Sequence, residues 1–198
     1  KIKRDIQNSI TYVNKLSNIK NYRKTDIETI LGYIYYFNGD FEKAEKHYKL
    51  SLDVGNSLSY LRFAEFLLLT NQYSRSLSVI EDGIKVAEKN KKNQNAIEFY
   101  VKAALVYWSV KTFDRNLSGL RRILYEGKAK KLAGKALNII NHIYPDTDVY
   151  YEFPRTKTVH LMVLVLIYLI MNDAEKAEYY IKKALVSKLC YNCNYKTC

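Results

Sequence analysis

Glycine and proline are scarce in this 198-residue chain, at 7 and 2 residues, together about a third of ordinary usage. Sharp turns are therefore few, and no glycine-rich phosphate-binding loop can be assembled. Cysteine is missing from the whole chain until Cys190, Cys193 and Cys198. A disulfide-stapled scaffold spreads its cysteines through the fold, so we expect a reducing compartment, the cytoplasm. Cys190-x2-Cys193-x4-Cys198 falls short of the four ligands of a structural zinc site, and a redox pair would need βαβ surroundings. No metal and no cofactor is expected. The longest apolar run, Leu161 to Met171, is well short of the roughly 20 residues that span a bilayer, so no membrane span is expected. Acids are outnumbered, 20 against 32 Lys and Arg, which leaves a net charge of +12. That excess raises nucleic acid, anionic membrane or acidic protein as partners but says nothing of fold. The first residue is Lys1 rather than Met, which reads as a fragment or a processed form.

What is present points one way. Hydrophobic residues make up 48% and charged ones 26%, a globular balance that excludes a disordered chain. Apolar residues recur at three and four, the spacing of amphipathic helices, and no strand-period segment of any length appears. Ile2, Ile6, Ile10, Val13 and Leu16 form the stripe of a first helix. Thr25-x-x-Glu28 has capping-box spacing for a second, stopped at Asn38-Gly39-Asp40. Helices are then expected over 41–52, 57–70, 73–88, 95–111, 113–125, 128–142, 156–171 and 173–187, with Pro145 closing the sixth of these.

The pairs look alike. Leu31-Gly32-x2-Tyr35 is followed by Gly39-Asp40-Phe41, Ala44-x3-Tyr48 and Leu52. Phe63-Ala64-x2-Leu67 is followed by Asn71, Tyr73, Ser76-x3-Ile80 and Ile84. Ala103-Ala104-x2-Tyr107 precedes Phe113, Asn116-x3-Leu120 and Leu124; Leu164-Val165-x2-Tyr168 precedes Asn172-Asp173, Ala177-x3-Ile181 and Ala184-Leu185. The order resembles the tetratricopeptide repeat. Small residues of each first helix (Gly32, Ala64, Ala104) should meet small ones of the second (Ala44, Ser76, Ala177) where the helices cross. The interval from Ala104 to Val165 is far longer than one repeat, leaving room for an additional helix over 128–142, or for that segment to be the second helix of a repeat whose first helix is Leu117 to Tyr125.

The resemblance implies an all-α, right-handed α-solenoid of about four antiparallel helix pairs plus one or two extra helices. Residues 1–24 would pack on or cap the array, 25–187 would be the repeat domain, and 188–198 a cysteine-containing segment, such as the start of a further helix. It also implies a concave groove lined by the first helices. Carried over by position, groove residues are Tyr33, Tyr36 and Phe37, then Leu61, Glu65 and Leu68, then Val101, Leu105 and Trp108, and finally Met162 and Leu166. Where chaperone-tail binders of the family hold a carboxylate with Lys, Asn and Arg, this chain has Thr29, Tyr33 and Leu61. The groove is apolar and aromatic, suited to a protein or peptide with an apolar segment, or else covered by the chain's own first helix or a second copy of the chain.

An enzyme needs a convergent polar constellation. His47, His142 and His160 stand far apart without partners at ligand or triad spacing, and His47 reads as a plain helix-surface residue. No catalytic residue is expected. Seven bases, Arg115, Arg121, Arg122, Lys128, Lys130, Lys131 and Lys135, meet only Glu126 over 115–135. Arg115 and Arg122 should share a face opposite Leu117, Leu120 and Leu124, with Lys128, Lys131 and Lys135 on another. A solvated face is the commoner fate of such a run; a phosphate-binding stripe is the sharper one. We therefore expect a non-enzymatic protein- or peptide-binding scaffold. The alternatives are the peptide-sensing domain of a bacterial regulator and a nucleic-acid-binding module using 115–135.

Overall fold

The computed structural model describes residues 2–16, 23–53, 56–89, 94–143 and 154–192. Among them every regular element is a helix, and the chain divides into two compact units, Lys1–Lys91 and Lys92–Cys198. The first holds α1 (Ile2–Leu16), α2 (Lys24–Phe37), α3 (Phe41–Leu50), α4 (Ser57–Leu69) and α5 (Tyr73–Lys89). The second holds α6 (Gln94–Phe113), α7 (Gly119–Ile143), α8 (Pro154–Ile170) and α9 (Ala174–Asn192). The helices pack as successive pairs, α2 with α3, α4 with α5, α6 with α7 and α8 with α9. Among the described residues, the all-α architecture of four pairs plus one extra helix is the expected one.

One turn recurs at three of the four pair junctions. Gly39, Asn71 and Asn172 adopt left-handed backbone, with φ of 80°, 59° and 60°. Each frees the following amide to bond five residues back: Asp40 N–H to the Tyr35 carbonyl, Gln72 to Leu67 and Asp173 to Tyr168. Only glycine, or asparagine with its short polar side chain, takes this conformation at little cost. Asp40 and Asp173 then cap the second helix, each accepting from the amide three residues on, at 3.2 and 3.1 Å.

Within each pair, burial follows the small residues. Ala44, Ala64 and Ser76 are fully buried, and Ser76 Oγ donates to the Ala64 carbonyl at 2.7 Å, so that crossing is both close and bonded. At Gly32 the space is taken by an aromatic ring, that of Tyr48. Tyr48 centres the core of the first unit with Ala44, Phe63, Phe66 and Leu67. A neighbouring cluster, Val13 with Ile27 and Leu31, packs α1 along α2.

Two local expectations are corrected. The Thr25–Glu28 capping box does not form. Helix α2 begins two residues earlier, at Lys24, with the Arg23 carbonyl accepting from Asp26 and Ile27, and the Glu28 carboxylate turns to His47 instead. The separate helices expected over 113–125 and 128–142 are one 25-residue helix, α7. Five residues, 114–118, turn the chain after Phe113, so α7 starts late, and Gly127 sits inside it without breaking it. The Asn116-x3-Leu120 register fails as a result. Asn116 lies in the turn, Leu120 and Leu124 are 82% and 54% exposed, and burial falls instead on Ala129, Leu132, Ala133, Ala136 and Ile140. Pro145, Cys193 and Cys198 lie outside the described residues, while Cys190 belongs to α9.

Candidate functional site

In the first unit the first helices of the two pairs, α2 and α4, touch directly. Beside their N-terminal turns is a cleft of about 270 Å³, lined from α2 by Thr25, Asp26, Thr29 and Ile30 and from α4 and its cap by Asn56, Leu58, Ser59 and Arg62. Apart from Ile30 and Leu58, the lining side chains carry polar groups. Its groups are ordered by the helix starts. Asn56 Oδ1 accepts from the Leu58 amide at 3.1 Å, Ser59 Oγ donates to the Asn56 carbonyl at 2.8 Å, and Thr29 Oγ1 donates to the Thr25 carbonyl at 2.9 Å. Thr25 Oγ1 is buried and, among the described residues, has no hydrogen-bond partner. Such a group is costly to bury unbonded.

Further along the same helices the lining becomes aromatic, and much of it is engaged in the core. Tyr33 meets Tyr48 edge-on at 5.6 Å, and Tyr36 meets Phe66 edge-on at 5.9 Å. Both tyrosines keep part of their surface in solvent, whereas Phe37 is 81% exposed and Leu61 wholly buried. Leu68 is half-buried, as is Glu65, which pairs with Arg62 at 3.1 Å. In the second unit Val101 is buried, Leu105, Trp108 and Leu166 are half-buried, and Met162 is exposed. The Lys111 ammonium lies 4.4 Å over the Trp108 ring, a cation–π contact.

The basic segment takes a form that the spacing did not predict. Arg122 donates to the carbonyls of Lys111 and Asp114, closing the C-terminus of α6, where partial negative charge collects. Lys128 and Lys135 lie over the rings of Tyr107 and Tyr100, at 5.3 and 5.5 Å. Glu126 is gripped by Lys111 at 2.5 Å and Lys130 at 2.8 Å, and those hydrogen bonds hold its carboxyl down at about 2. Arg115, Arg121 and Lys131 remain exposed. Arg115 is exposed and Leu117 buried, as expected, but the other positions are reversed: Arg122 is half-buried, and Leu120 and Leu124 face solvent.

One polar pair escaped the sequence reading. His47 Nδ1 lies 2.7 Å from Glu28 Oε2, both largely buried, and its ring stacks on Tyr35 at 5.1 Å. The signal lay in the repeat itself, since Glu28 and His47 sit at facing positions of one helix pair. Among the described residues no group of three or more His, Cys, Asp or Glu is placed to hold a metal ion, and no helix is long and apolar enough to cross a membrane.

The tetratricopeptide repeat family profile matches residues 29–54, the stretch that carries most of α2, the Asn38-Gly39-Asp40 turn and α3. The chain therefore contains a tetratricopeptide repeat. Its fold is similar to that of BtubC (BKLC) from P. vanneervenii, with a TM-score of 0.63 at 13% identity, covering 98% of this chain and 77% of that one. MamA aligns over 96% of this chain and 92% of its own at 19% identity, with a TM-score of 0.48. A tetratricopeptide repeat protein from Parabacteroides merdae ATCC 43184 aligns over 93% and 74% at 15% identity, with a TM-score of 0.37. No curated protein matches the chain. Tetratricopeptide-repeat proteins are typically non-enzymatic and act by binding other proteins.

Proposed function

We propose that this chain is a non-enzymatic scaffold of the tetratricopeptide-repeat kind that holds a peptide segment of another protein along the faces of its first helices. The observation that carries the reading is the cleft beside α2 and α4, with partly exposed Tyr33 and Tyr36 and exposed Phe37 further along α2. Hydroxyl and amide groups of Thr25, Thr29, Asn56 and Ser59 suit the backbone N–H and C=O groups of a bound segment. Asp26 and Arg62, at opposite walls, would set its direction. The tyrosine edges and Phe37 suit one or two apolar side chains. Lacking the Lys, Asn and Arg of the carboxylate clamp, the face favours an internal segment over a chain terminus. The distribution of cysteines supports a reducing compartment, the cytoplasm.

The test is selection of peptides from a display library on the full chain, followed by calorimetry. Tyr36→Ala, Phe37→Ala and Arg62→Ala should each weaken a selected peptide about tenfold with the helical content unchanged. Peptides indifferent to all three substitutions would remove the basis of the reading.

A further inference from the structure

The first turns of α7 carry an apolar face that the fold does not use. Leu120, Ile123 and Leu124 occupy positions i, i+3 and i+4, so they adjoin on one side of the helix. They are 82%, 71% and 54% exposed. Phe113, just across the α6–α7 turn, is 64% exposed. The opposite side of α7 is packed through its alanines, so this side is left over after the pair has formed. Three adjoining large aliphatics at this exposure are unlike the scattered apolar residues of an ordinary surface.

Two further observations describe what would cover it. Gly127 and Gly134 continue the same face one and two heptads below Leu120, and a Cβ built on either meets no atom within 4 Å. A helix tolerates interior glycine only at a cost, and glycine on an open face lets another backbone approach closely. Charge along this side has one sign: Arg115, Arg121 and Lys131 are exposed, while Glu126 is already held by two lysines.

We propose that this face docks an acidic amphipathic helix of another protein, its apolar stripe on Leu120, Ile123 and Leu124 and its carboxylates toward Arg121 and Lys131. A second copy of this chain would set basic rim against basic rim, which opposes self-association. A nucleic-acid duplex would leave the aliphatic centre unmatched, because such interfaces are dominated by polar phosphate contacts. A lipid surface gains nothing from the two glycines, whereas a packed helix does. The surface shares no residue with the α2–α4 cleft, so its test is independent of the peptide-binding reading above.

The test uses the full chain and a fluorescein-labelled helical peptide of about 18 residues, five turns, with Leu at helical spacing and Glu on the flanks. Fluorescence anisotropy should show saturable binding that weakens as salt rises. The double change Ile123→Ser with Leu124→Ser should lower affinity tenfold or more. Arg121→Glu with Lys131→Glu should do likewise and flatten the salt dependence. Gly127→Leu, which favours helix, should also abolish binding while α7 stays folded. Tyr36→Ala should leave binding unchanged. The proposal is overturned if the peptide does not bind, or binds the Ile123/Leu124 variant as well as the parent. It is equally overturned if the face instead retains phosphatidylserine vesicles or duplex DNA, or if light scattering shows a dimer that Ile123→Ser with Leu124→Ser dissolves.

Discussion

The same substitution, glycine to alanine, should have opposite signs at two helical positions. In α2, a Cβ at Gly32 would stand 3.0 Å from Tyr48 Cδ1 and Cε1 and 3.1 Å from Cδ2. The ring cannot move aside readily: Tyr48 is 1% exposed, with Phe66 at 5.1 Å and Tyr33 edge-on at 5.6 Å. Alanine gains about 1 kcal/mol of helix propensity, but overpacking a filled core costs about 1–3 kcal/mol. Gly32→Ala should therefore destabilise by about 1 kcal/mol net. In α7 a Cβ at Gly127 meets nothing within 4 Å, so Gly127→Ala should keep the whole gain of about 1 kcal/mol. Far-UV circular dichroism during heating reads the first change. The second can be followed by fluorescence of Trp108, the chain's single tryptophan, which lies in the same unit as Gly127. For units of this size, 1 kcal/mol corresponds to a midpoint shift of about 4–8 °C. Equal stabilisation by the two substitutions would refute the argument, because it would mean that the Tyr48 ring is not confined.

Other expectations follow from single contacts. The Glu45 carboxyl is lowered to about 2, first by its hydrogen bond from Arg75 and then by Lys49. A depressed carboxyl stabilises the fold above its unfolded value, and that stability disappears as pH falls from about 4.5 toward 2. Because Arg75 is half exposed, the contribution is on the order of 1 kcal/mol, and the stabilities of Arg75→Ala and parent should converge at the acid end of a pH series of urea melts. Arg122→Ala removes the donors to two carbonyls at the end of α6 and should cost about 1–2 kcal/mol, read by Trp108 fluorescence. Asn172 stands at φ 60°. Asn172→Ala should lower stability by about 1 kcal/mol and Asn172→Gly should not, a difference that thermal melts will resolve.

Much of the helical order was legible because the repeat is written in local chemistry. The left-handed stops at Gly39, Asn71 and Asn172, the caps at Asp40 and Asp173, and the small residues Ala44, Ala64 and Ser76 are all choices that a short stretch of chain makes for itself. Where reading failed, the competing terms were close in energy or far in sequence. Thr25 could cap a helix, but so could the turn before it, and Glu28 found a better partner in an imidazole on α3. Over 113–143 the apolar spacing of Leu120 and Leu124 is as good as that of Leu132 and Ala136. Only the length of the turn after Phe113 settles which set faces α6. The groove positions were named by analogy of place. Burial then distinguishes Leu61 and Val101, enclosed, from Phe37 and Met162, in solvent.

Composition and spacing were enough to specify helices: scarce glycine and proline, apolar residues at three and four, and turn residues at the pair junctions favour no other regular structure. Which charges and which aliphatics are spent was fixed only by packing. Lys128 and Lys135 lie over tyrosines, Arg122 closes a helix end, and Glu126 is pinned between two lysines, so a run of seven bases shows only part of itself to solvent. The reverse holds for Leu120 and Leu124, which spacing assigns to a core and packing leaves outside, beside Ile123. Periodicity states that a helix has an apolar side. Only the partner helix, through the length of the turn that delivers it, determines which side is buried.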